Sequence, residues 1–379
     1  MSVAAQHDDR PTADWLGGFA GGGPLSVSER ELLAGWPKAE LHLHLDGSLR
    51  PETAIELART RRIEAPRTVA GMRELLVAPM PCADQAELLR AFDLPILLMQ
   101  DAEALERITF ELVETKAADE VRYVEIRWGP LLHVRGGLSP ADGISAVVAG
   151  ARRGAAATGT TVRLICTALR SHEPADNARL AETAAGFRDQ GLVGWDLAGP
   201  EAAFPDPMIH ARAFEAARAG GLRVTLHAGE WGGAPQVRRA LELRPERIAH
   251  GAVAIEDPSL VAELVARDVC LDLCPTSNVQ AGLFPSVAMH PLARLARAGV
   301  TVTVSTDDTT VSDLSLTEEY ARAVERVGLS PAELWAIDRR ALDVAFADEA
   351  DLVPLRLDFE RAVAGNRLLQ SPAMRDVRA

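Results

Sequence analysis

Eight short apolar runs, each followed by a segment of helical period, are the feature that most constrains the fold of this 379-residue chain. Each run ends in a polar turn that contains Gly or Pro. The runs occupy residues 39–47, 121–130, 162–170, 192–199, 222–230, 247–251, 269–278 and 300–308. Such alternation indicates βα units and a parallel sheet. Eight units over about 340 residues predict an α/β chain folded as a (β/α)8 TIM barrel.

The connector after the first run is unusually long, from Gly47 to Val121, and contains several helical patterns. We therefore expect a helical insertion after strand 1, a cap at about residues 50–120 over the barrel mouth. Extra C-terminal helices are expected beyond Phe346. An open doubly wound sheet is the alternative, but the first strand-to-helix turn lacks the G-x-G-x-x-G glycines of a dinucleotide site.

The N-terminal segment differs from the rest of the chain. Residues 1–29 include the run GGFAGGG and have no helical or strand period, which predicts a flexible tail. From residue 30 onward the apolar periodicity continues without a Pro/Gly/Ser linker. The sequence therefore predicts one barrel domain over residues 30–379.

The composition excludes several classes of protein. The chain has 54 acidic and 40 basic residues, a net charge of −14, which opposes binding to nucleic-acid phosphates or anionic lipid. No apolar run approaches the ~20 residues that cross a bilayer, and no signal pattern is present. The four cysteines form no C-x-x-C pair. We predict a cytoplasmic protein with a small-molecule partner and no nucleic-acid or membrane partner; the oligomeric state stays open.

Polar side chains gather at the C-terminal ends of the runs, and these ends meet on the catalytic face of a barrel. His42 and His44 lie two residues apart on the first run, so they point to the same side of the strand. The fifth, sixth and eighth strands are expected to end at His227, His250 and Asp307. The pattern predicts a metal site at the barrel mouth.

Three imidazoles, one carboxylate and a position left for water suit Zn²⁺. The predicted ligands of one zinc ion per subunit are His42, His44, His227 and Asp307. His250 and Asp308 would hold and orient the water. Glu230, which follows in HAGE, would transfer the proton.

Other interpretations remain open for several of these residues. Asp307 and Asp308 could form a solvated turn or a helix cap, Gly199 could serve turn geometry only, and Ser277 could cap a helix. Cys270 and Cys274 are interpreted as packed small hydrophobic residues. The histidines interpreted as structural or surface residues are His7, His133, His172, His210 and His290.

Seven motifs identify a family: HLHLDGSLRPET, YVEIRWGP, DLAGPE, HAGE, RIAHG, CPTSN and STDD. With them the chain resembles the adenosine deaminase branch of the metal-dependent amidohydrolases, from about Lys38 to about Ala347. The resemblance implies an amidohydrolase-type barrel with one Zn²⁺ that removes the 6-amino group of a purine as ammonia. It implies the same four zinc ligands, with Glu230 protonating ring nitrogen N1 while a zinc-bound hydroxide, oriented by His250 and Asp308, attacks C6.

The resemblance also implies how the substrate is held. The Gly199 amide would bind ring nitrogen N3, Asp46 would reach the ribose 5′ side, and Ser277 would lie near the ribose. The predicted substrate-binding residues are Asp46, Gly199, Ser277 and His44. Because relatives that act on adenine carry Glu in place of Asp46 and lack DLAG, we expect adenosine or a related adenine nucleoside as substrate and an inosine-type product.

Three alternatives remain for the function. Gln85 and Leu88 lie in a segment that resembles the family's helical gate, and Leu88 takes the place of a Phe in animal enzymes. A gate of this kind could admit a larger 5′ substituent, as in an aminodeoxyfutalosine deaminase of menaquinone biosynthesis. A non-catalytic barrel that binds purine nucleosides is the second alternative. Hydrolysis of another amide-like or aminated ring is the third.

Overall fold

The computed structural model describes residues 23–370. Eight parallel strands form one sheet in strictly sequential order. They are β1 (Lys38–His44), β2 (Val121–Trp128), β3 (Thr161–Leu169), β4 (Leu192–Ala198), β5 (Arg223–Ala228), β6 (Arg247–His250), β7 (Cys270–Leu273) and β8 (Val302–Val304). Each lies within one of the eight predicted runs or overlaps it. The predicted TIM barrel is confirmed, and the doubly wound sheet is excluded because its strand order reverses.

The barrel closes between its first and last strands. Leu43 of β1 forms a parallel bridge with Asp307, three residues after β8 ends. The His44 amide donates to the Asp307 carbonyl oxygen at 2.7 Å, and the Asp307 amide donates to the His42 carbonyl oxygen at 3.2 Å. This seam brings together two of the predicted polar strand ends.

Helices connect the strands and surround the sheet. They are α1 (Val27–Ala34), α2 (Pro51–Arg61), α3 (Val69–Leu76), α4 (Gln85–Arg90), α5 (Asp93–Leu98), α6 (Ala102–Ala118), α7 (Pro140–Thr158), α8 (Pro174–Ala185), α9 (Ala211–Ala219), α10 (Ala234–Ala240), α11 (Pro258–Ala266), α12 (Pro275–Gln280), α13 (Leu292–Arg297), α14 (Leu316–Arg322), α15 (Pro331–Val344) and α16 (Glu349–Ala362). None of the helices in residues 23–370 is both long and apolar enough to cross a bilayer.

Two groups of helices outside the regular βα pattern were predicted from the sequence. Helices α2 to α6 form the insertion between β1 and β2, and α16 follows the barrel at its C-terminal end. Residues 1–22 of the predicted tail lie outside the described residues. Its last residues, 27–29, already form the first turn of α1, because Ser26 and Glu29 make a reciprocal capping box there.

The barrel interior contains a buried layer of charged side chains. Arg127 lies 3.5 Å from Asp196 and 3.6 Å from Asp272, measured between nitrogen and carboxylate oxygen. Arg247 pairs with Asp272 at 3.1 Å and with Glu125. All five side chains are fully buried, and such charges are tolerated only when they are paired. Sequence analysis did not predict this layer.

Candidate metal centre and active-site cavity

Four imidazoles and one carboxylate converge at the C-terminal end of the barrel. His44 Nε2 lies 3.3 Å from His42 Nε2 and 3.1 Å from His227 Nε2. Asp307 Oδ1 lies 3.0 Å from His42 Nε2 and 3.4 Å from His44 Nε2. The ligand atoms of His42, His227, His250 and Asp307 all lie within 4.8 Å of one another. The structure thus brings together every predicted ligand, with His250 beside them.

The backbone is strained at two of these residues. His250 has φ 64° and Asp307 has φ 67°, in the left-handed region that non-glycine residues rarely adopt. Each such residue costs about 1–3 kcal/mol and persists only where its surroundings hold it. The backbone strain therefore occurs at two residues whose side chains face the cluster, as is typical of functional sites.

Burial keeps the histidines of β1 neutral. Burial, followed by the charge of Arg127, holds the pKa of His42 well below its ordinary value. Burial also lowers the pKa of His44 to about 3. A neutral imidazole presents a nitrogen lone pair, which is the form that binds a metal ion. The donor set of the cluster therefore fits a divalent ion.

Hydrogen bonds from outside the cluster orient two of its members. His227 Nδ1 lies 3.1 Å from Asp196 Oδ1, which turns His227 Nε2 toward the cluster. The Ser277 hydroxyl donates to Asp307 Oδ2 at 2.6 Å. Ser277 is not among the residues that line the adjacent cavity, so its predicted place near the ribose stays a prediction.

Two polar side chains lie behind His250. Asn278 Nδ2 is 3.0 Å from His250 Nδ1, and His290 Nε2 is 3.0 Å from Asn278 Oδ1. Sequence analysis did not assign Asn278 or Asp196 a role, although CPTSN and DLAG contain them. It interpreted His290 as a structural or surface residue, and the structure buries it against Asn278.

A cavity of about 340 Å³ opens beside the cluster. Eight of the predicted site residues line it: His44, Asp46, Gly199, His227, Glu230, His250, Asp307 and Asp308. Helix α4 of the insertion contributes Gln85 and Leu88 to its wall, which confirms that the insertion lies at the barrel mouth. A larger groove of about 850 Å³, around Arg163 and Phe346, contains none of the predicted site residues.

Carboxyl groups in the cavity are shifted toward their neutral form. Burial, followed by the negative charge of Asp307, raises the pKa of Glu230 to about 8. The same two causes raise the pKa of Asp308 well above its ordinary value. Burial raises the pKa of Asp46 to about 6. Glu230 can therefore donate a proton at neutral pH, which an ordinary glutamic acid cannot.

The loop that carries Glu230 is held by a second glutamate. Glu201 accepts hydrogen bonds from the amides of Gly229 at 2.9 Å, Trp231 at 2.8 Å and Gly232 at 2.9 Å. The charge of Arg170 lies 3.6 Å from Glu201, measured from Nη2 to Oε1. This role of Glu201 was not predicted from the sequence. The one available sign of it was that the motif DLAGPE ends in an acidic residue.

Gly47 allows Asp308 to approach the first strand. A Cβ added at Gly47 would lie 1.7 Å from Asp308 Oδ1, so no larger residue fits without moving that carboxyl. The glycine of the HLDG segment therefore determines where Asp308 lies in the cavity.

Comparison with known proteins agrees with this geometry. A family model described as "Adenosine deaminase" matches residues 37–356. The chain belongs to the adenosine deaminase family. It is therefore a hydrolase that acts on a purine amino group. An adenosine deaminase of Vibrio vulnificus (strain CMCP6) is 38% identical over 317 residues, which cover 83% of this chain and 95% of the relative.

Solved structures share the fold of this chain. A cog1816 amidohydrolase from Burkholderia ambifaria, with bound Zn, has a TM-score of 0.82 and 25% identity and covers 92% of this chain and 97% of its own. The apo N6-methyl-AMP deaminase of Arabidopsis thaliana has a TM-score of 0.78 and 30% identity, with coverage of 88% and 98%. The resemblance inferred from the seven motifs is confirmed.

Proposed function

We propose that the protein is a zinc-dependent adenosine deaminase. It would remove the 6-amino group of adenosine or a related adenine nucleoside by hydrolysis, giving the inosine-type product and ammonia. The observation that carries the proposal is that the histidine and aspartate cluster and Glu230, whose pKa is raised to about 8, face one cavity. A substrate in this cavity would contact both the metal site and a proton donor.

The ligands of one Zn²⁺ per subunit would be His42, His44, His227 and Asp307. The Asp196 carboxylate can only accept a hydrogen bond from His227 Nδ1, so His227 Nε2 keeps its lone pair for the ion. When bound, the ion supplies a water whose pKa is lowered toward ~7. The Ser277 hydroxyl would orient Asp307 through its hydrogen bond to Oδ2.

Glu230 would donate its proton to ring nitrogen N1 as the attacking water oxygen bonds to C6. As the C6–N6 bond breaks, one proton of the attacking water would pass to the amino group, which leaves as ammonia. The other water proton would restore the acid form of Glu230, and the product keeps C6=O and N1–H. His250 and Asp308, which line the same cavity, would hold the attacking water. A positioned proton donor of this kind is worth about 10²- to 10⁴-fold in rate.

Asp46 and Gly199 would recognise the nucleoside, because both line the cavity beside Glu230. Gly199 would offer its amide to N3, and Asp46 would bind the ribose 5′ side. Gln85 and Leu88 on the cavity wall support a second candidate, an aminodeoxyfutalosine deaminase, since a polar residue at 85 and Leu in place of Phe at 88 would leave more room for a larger 5′ substituent.

We further propose that residues 30–379 form one barrel domain that works in the cytoplasm. The support for this location is that all four cysteines are free and buried, as is usual in a reducing compartment.

A substrate panel tests the function directly. Ammonia release is measured for adenosine, deoxyadenosine, adenine and aminodeoxyfutalosine, with zinc-replete protein and with chelated protein. We expect the nucleosides to react faster than adenine, chelation to abolish turnover and added zinc to restore it. Zinc-replete protein that releases no ammonia from any of these compounds would refute the proposal. Faster turnover of aminodeoxyfutalosine than of adenosine would favour the second candidate.

A further inference from the structure

Two imidazoles that face the cluster are held from behind by different groups. His227 Nδ1 contacts the Asp196 carboxylate at 3.1 Å, whereas His250 Nδ1 contacts the Asn278 side-chain amide at 3.0 Å. A neutral imidazole has one N–H and one lone pair, and the partner of one nitrogen determines which form the other presents. One histidine can therefore present an N–H group to the cavity while the other presents a nitrogen lone pair.

The chain of hydrogen bonds behind His250 begins at a backbone N–H group, which can only donate. The Leu292 amide lies 3.2 Å from His290 Nδ1, and a backbone N–H can only donate, so Nδ1 of His290 is an acceptor. His290 is buried, and burial lowers its pKa to about 3, so the ring is neutral. Its proton is therefore on Nε2, which donates to Asn278 Oδ1 at 3.0 Å.

The donor and acceptor roles at His290 in turn determine those at Asn278 and His250. Because Asn278 Oδ1 accepts from His290, its NH₂ group faces His250 Nδ1 and donates to it. His250 Nδ1 is then an acceptor, and the proton of the neutral ring is on Nε2. That nitrogen faces the cluster, 3.7 Å from Asp307 Oδ2 and 3.8 Å from Glu230 Oε1.

We propose that Asn278 and His290 are positioning residues that fix His250 in the tautomer with its proton on Nε2. His250 would then face the reaction centre as a hydrogen-bond donor, not as a metal ligand, although its ring nitrogen lies within reach of the other ligand atoms. His227 is set to the opposite tautomer by Asp196 and presents a lone pair. The tautomer follows from the contacts alone, while its catalytic consequence rests on the proposed function.

The donor would act on the oxygen that attacks C6. A donor aimed at a developing negative charge stabilises the transition state more than the ground state, and removal of one such donor costs about 10²- to 10³-fold in kcat. An imidazole with the reverse tautomer would present a lone pair to that oxygen and would repel it.

The tautomer can be measured in the wild-type protein. Two-bond ¹⁵N–¹H correlation spectra of zinc-replete protein labelled with ¹⁵N-histidine report which ring nitrogen carries the proton. The chain has nine histidines, and the signals absent from the His250→Gln variant identify those of His250. We expect a proton on Nε2. A proton on Nδ1 would overturn the proposal.

The variant Asn278→Asp keeps the shape of the side chain but exchanges donor and acceptor in its hydrogen bond with His250 Nδ1. A carboxylate accepts from both histidines, so the proton of His250 moves to Nδ1. We expect kcat to fall about 10²-fold, KM to change less than about threefold and the zinc content to stay unchanged. A variant with the proton on Nδ1 and an unchanged kcat would overturn the positioning role.

A matched control is available elsewhere in the chain. The Asn177 amide also lies 3.1 Å from the Nδ1 atom of a buried histidine, His210, which does not line the cavity. Asn177→Asp makes the same change of side chain beside a histidine outside the cavity, and it also removes the hydrogen bond of 2.9 Å from Asn177 to the Leu169 carbonyl oxygen; we expect kcat to stay within about threefold of wild type. An equal loss of kcat in both variants would overturn the proposal.

His290 gives a second test that does not depend on the folding of Asn278→Asp. His290→Leu removes the donor to Asn278, whereas the side-chain amide of His290→Gln can replace it. We expect Leu to lower kcat and Gln to restore most of it, and equal kcat values would overturn the proposal. Wild-type protein that releases no ammonia would refute the proposed function, yet its spectrum would still decide the tautomer.

Discussion

Glu230→Gln separates proton transfer from metal binding. Burial raises the pKa of Glu230 from an ordinary 4.5 to about 8. At pH 7 a carboxyl group with a pKa of 8 is roughly 90% protonated, against roughly 0.3% for a pKa of 4.5. Before any effect of a bound cation, this shift increases the protonated fraction of Glu230 by about two orders of magnitude. Glutamine keeps the shape of the protonated acid but has no proton to transfer, so we expect kcat to fall by about 10²- to 10⁴-fold.

The assay is steady-state ammonia release from adenosine, with zinc measured by elemental analysis. The zinc content should stay at the wild-type level, since Glu230 is not a proposed ligand. The wild-type rate should also fall as the pH rises through the pKa of Glu230, because the acid loses its proton. This limb should lie at or below about pH 8, since a bound cation lowers the pKa of a nearby carboxyl. Glu242→Gln, at an exposed ion pair with Arg239, is the control.

Two results would refute this reasoning. Near-normal turnover in Glu230→Gln would show that another group protonates the ring. Loss of zinc in parallel with turnover would show that Glu230 supports the metal site instead. An inactive, zinc-replete and folded variant is the expected outcome.

Three further predictions concern other residues. Gly47→Ala would place a carbon 1.7 Å from Asp308 Oδ1, so we expect kcat to fall at least about tenfold with zinc retained; unchanged turnover would show that Asp308 is free to move. Glu201→Gln leaves the amides that share this carboxylate incompletely bonded, and urea denaturation should show a loss of about 1–3 kcal/mol in the free energy of unfolding; an unchanged midpoint would contradict this. Burial raises the pKa of Asp338 to about 7, so the folded state keeps a proton that the unfolded chain releases near pH 4. The contribution of Asp338 to stability should be greatest below that pH, decrease by at most about 4 kcal/mol as the pH rises to 7 and be constant above. The difference in melting temperature between wild type and Asp338→Asn should follow this profile, and a difference that does not change with pH would refute the assignment.

The strand and helix alternation was sufficient to predict the barrel. Each run is short and apolar because both faces of a parallel strand are buried, and this pattern is local in the sequence. The insertion and the C-terminal helices were predicted for the same reason. The charged layer around Arg127 was not predicted, because its pairing joins strands that are distant in sequence and depends on their register.

The residues that face the cavity were easier to predict than those behind them. His42 and His227 lie within the last three residues of their strands and Asp307 follows the last strand, and the barrel topology alone brings strand ends together. Asn278 and His290 act through contacts between a strand end and the helices that follow it, so no spacing rule reveals them. The hydroxyl of Ser277 contacts Asp307 because a short helix, α12, turns it away from the cavity wall.

The seam of the barrel contains two of the proposed ligands. Strands β2 and β3 are joined along an extended ladder from Tyr123 to Trp128, whereas the backbone pairing between the first strand and the end of the last is, in the described residues, confined to the bridge at Asp307. An ion shared by His42 and Asp307 would tie the two ends of the sheet together, as a crosslink does. We therefore expect loss of the ion to loosen this seam, and the His44 and Asp307 amides to exchange hydrogen faster in metal-free than in metal-bound protein.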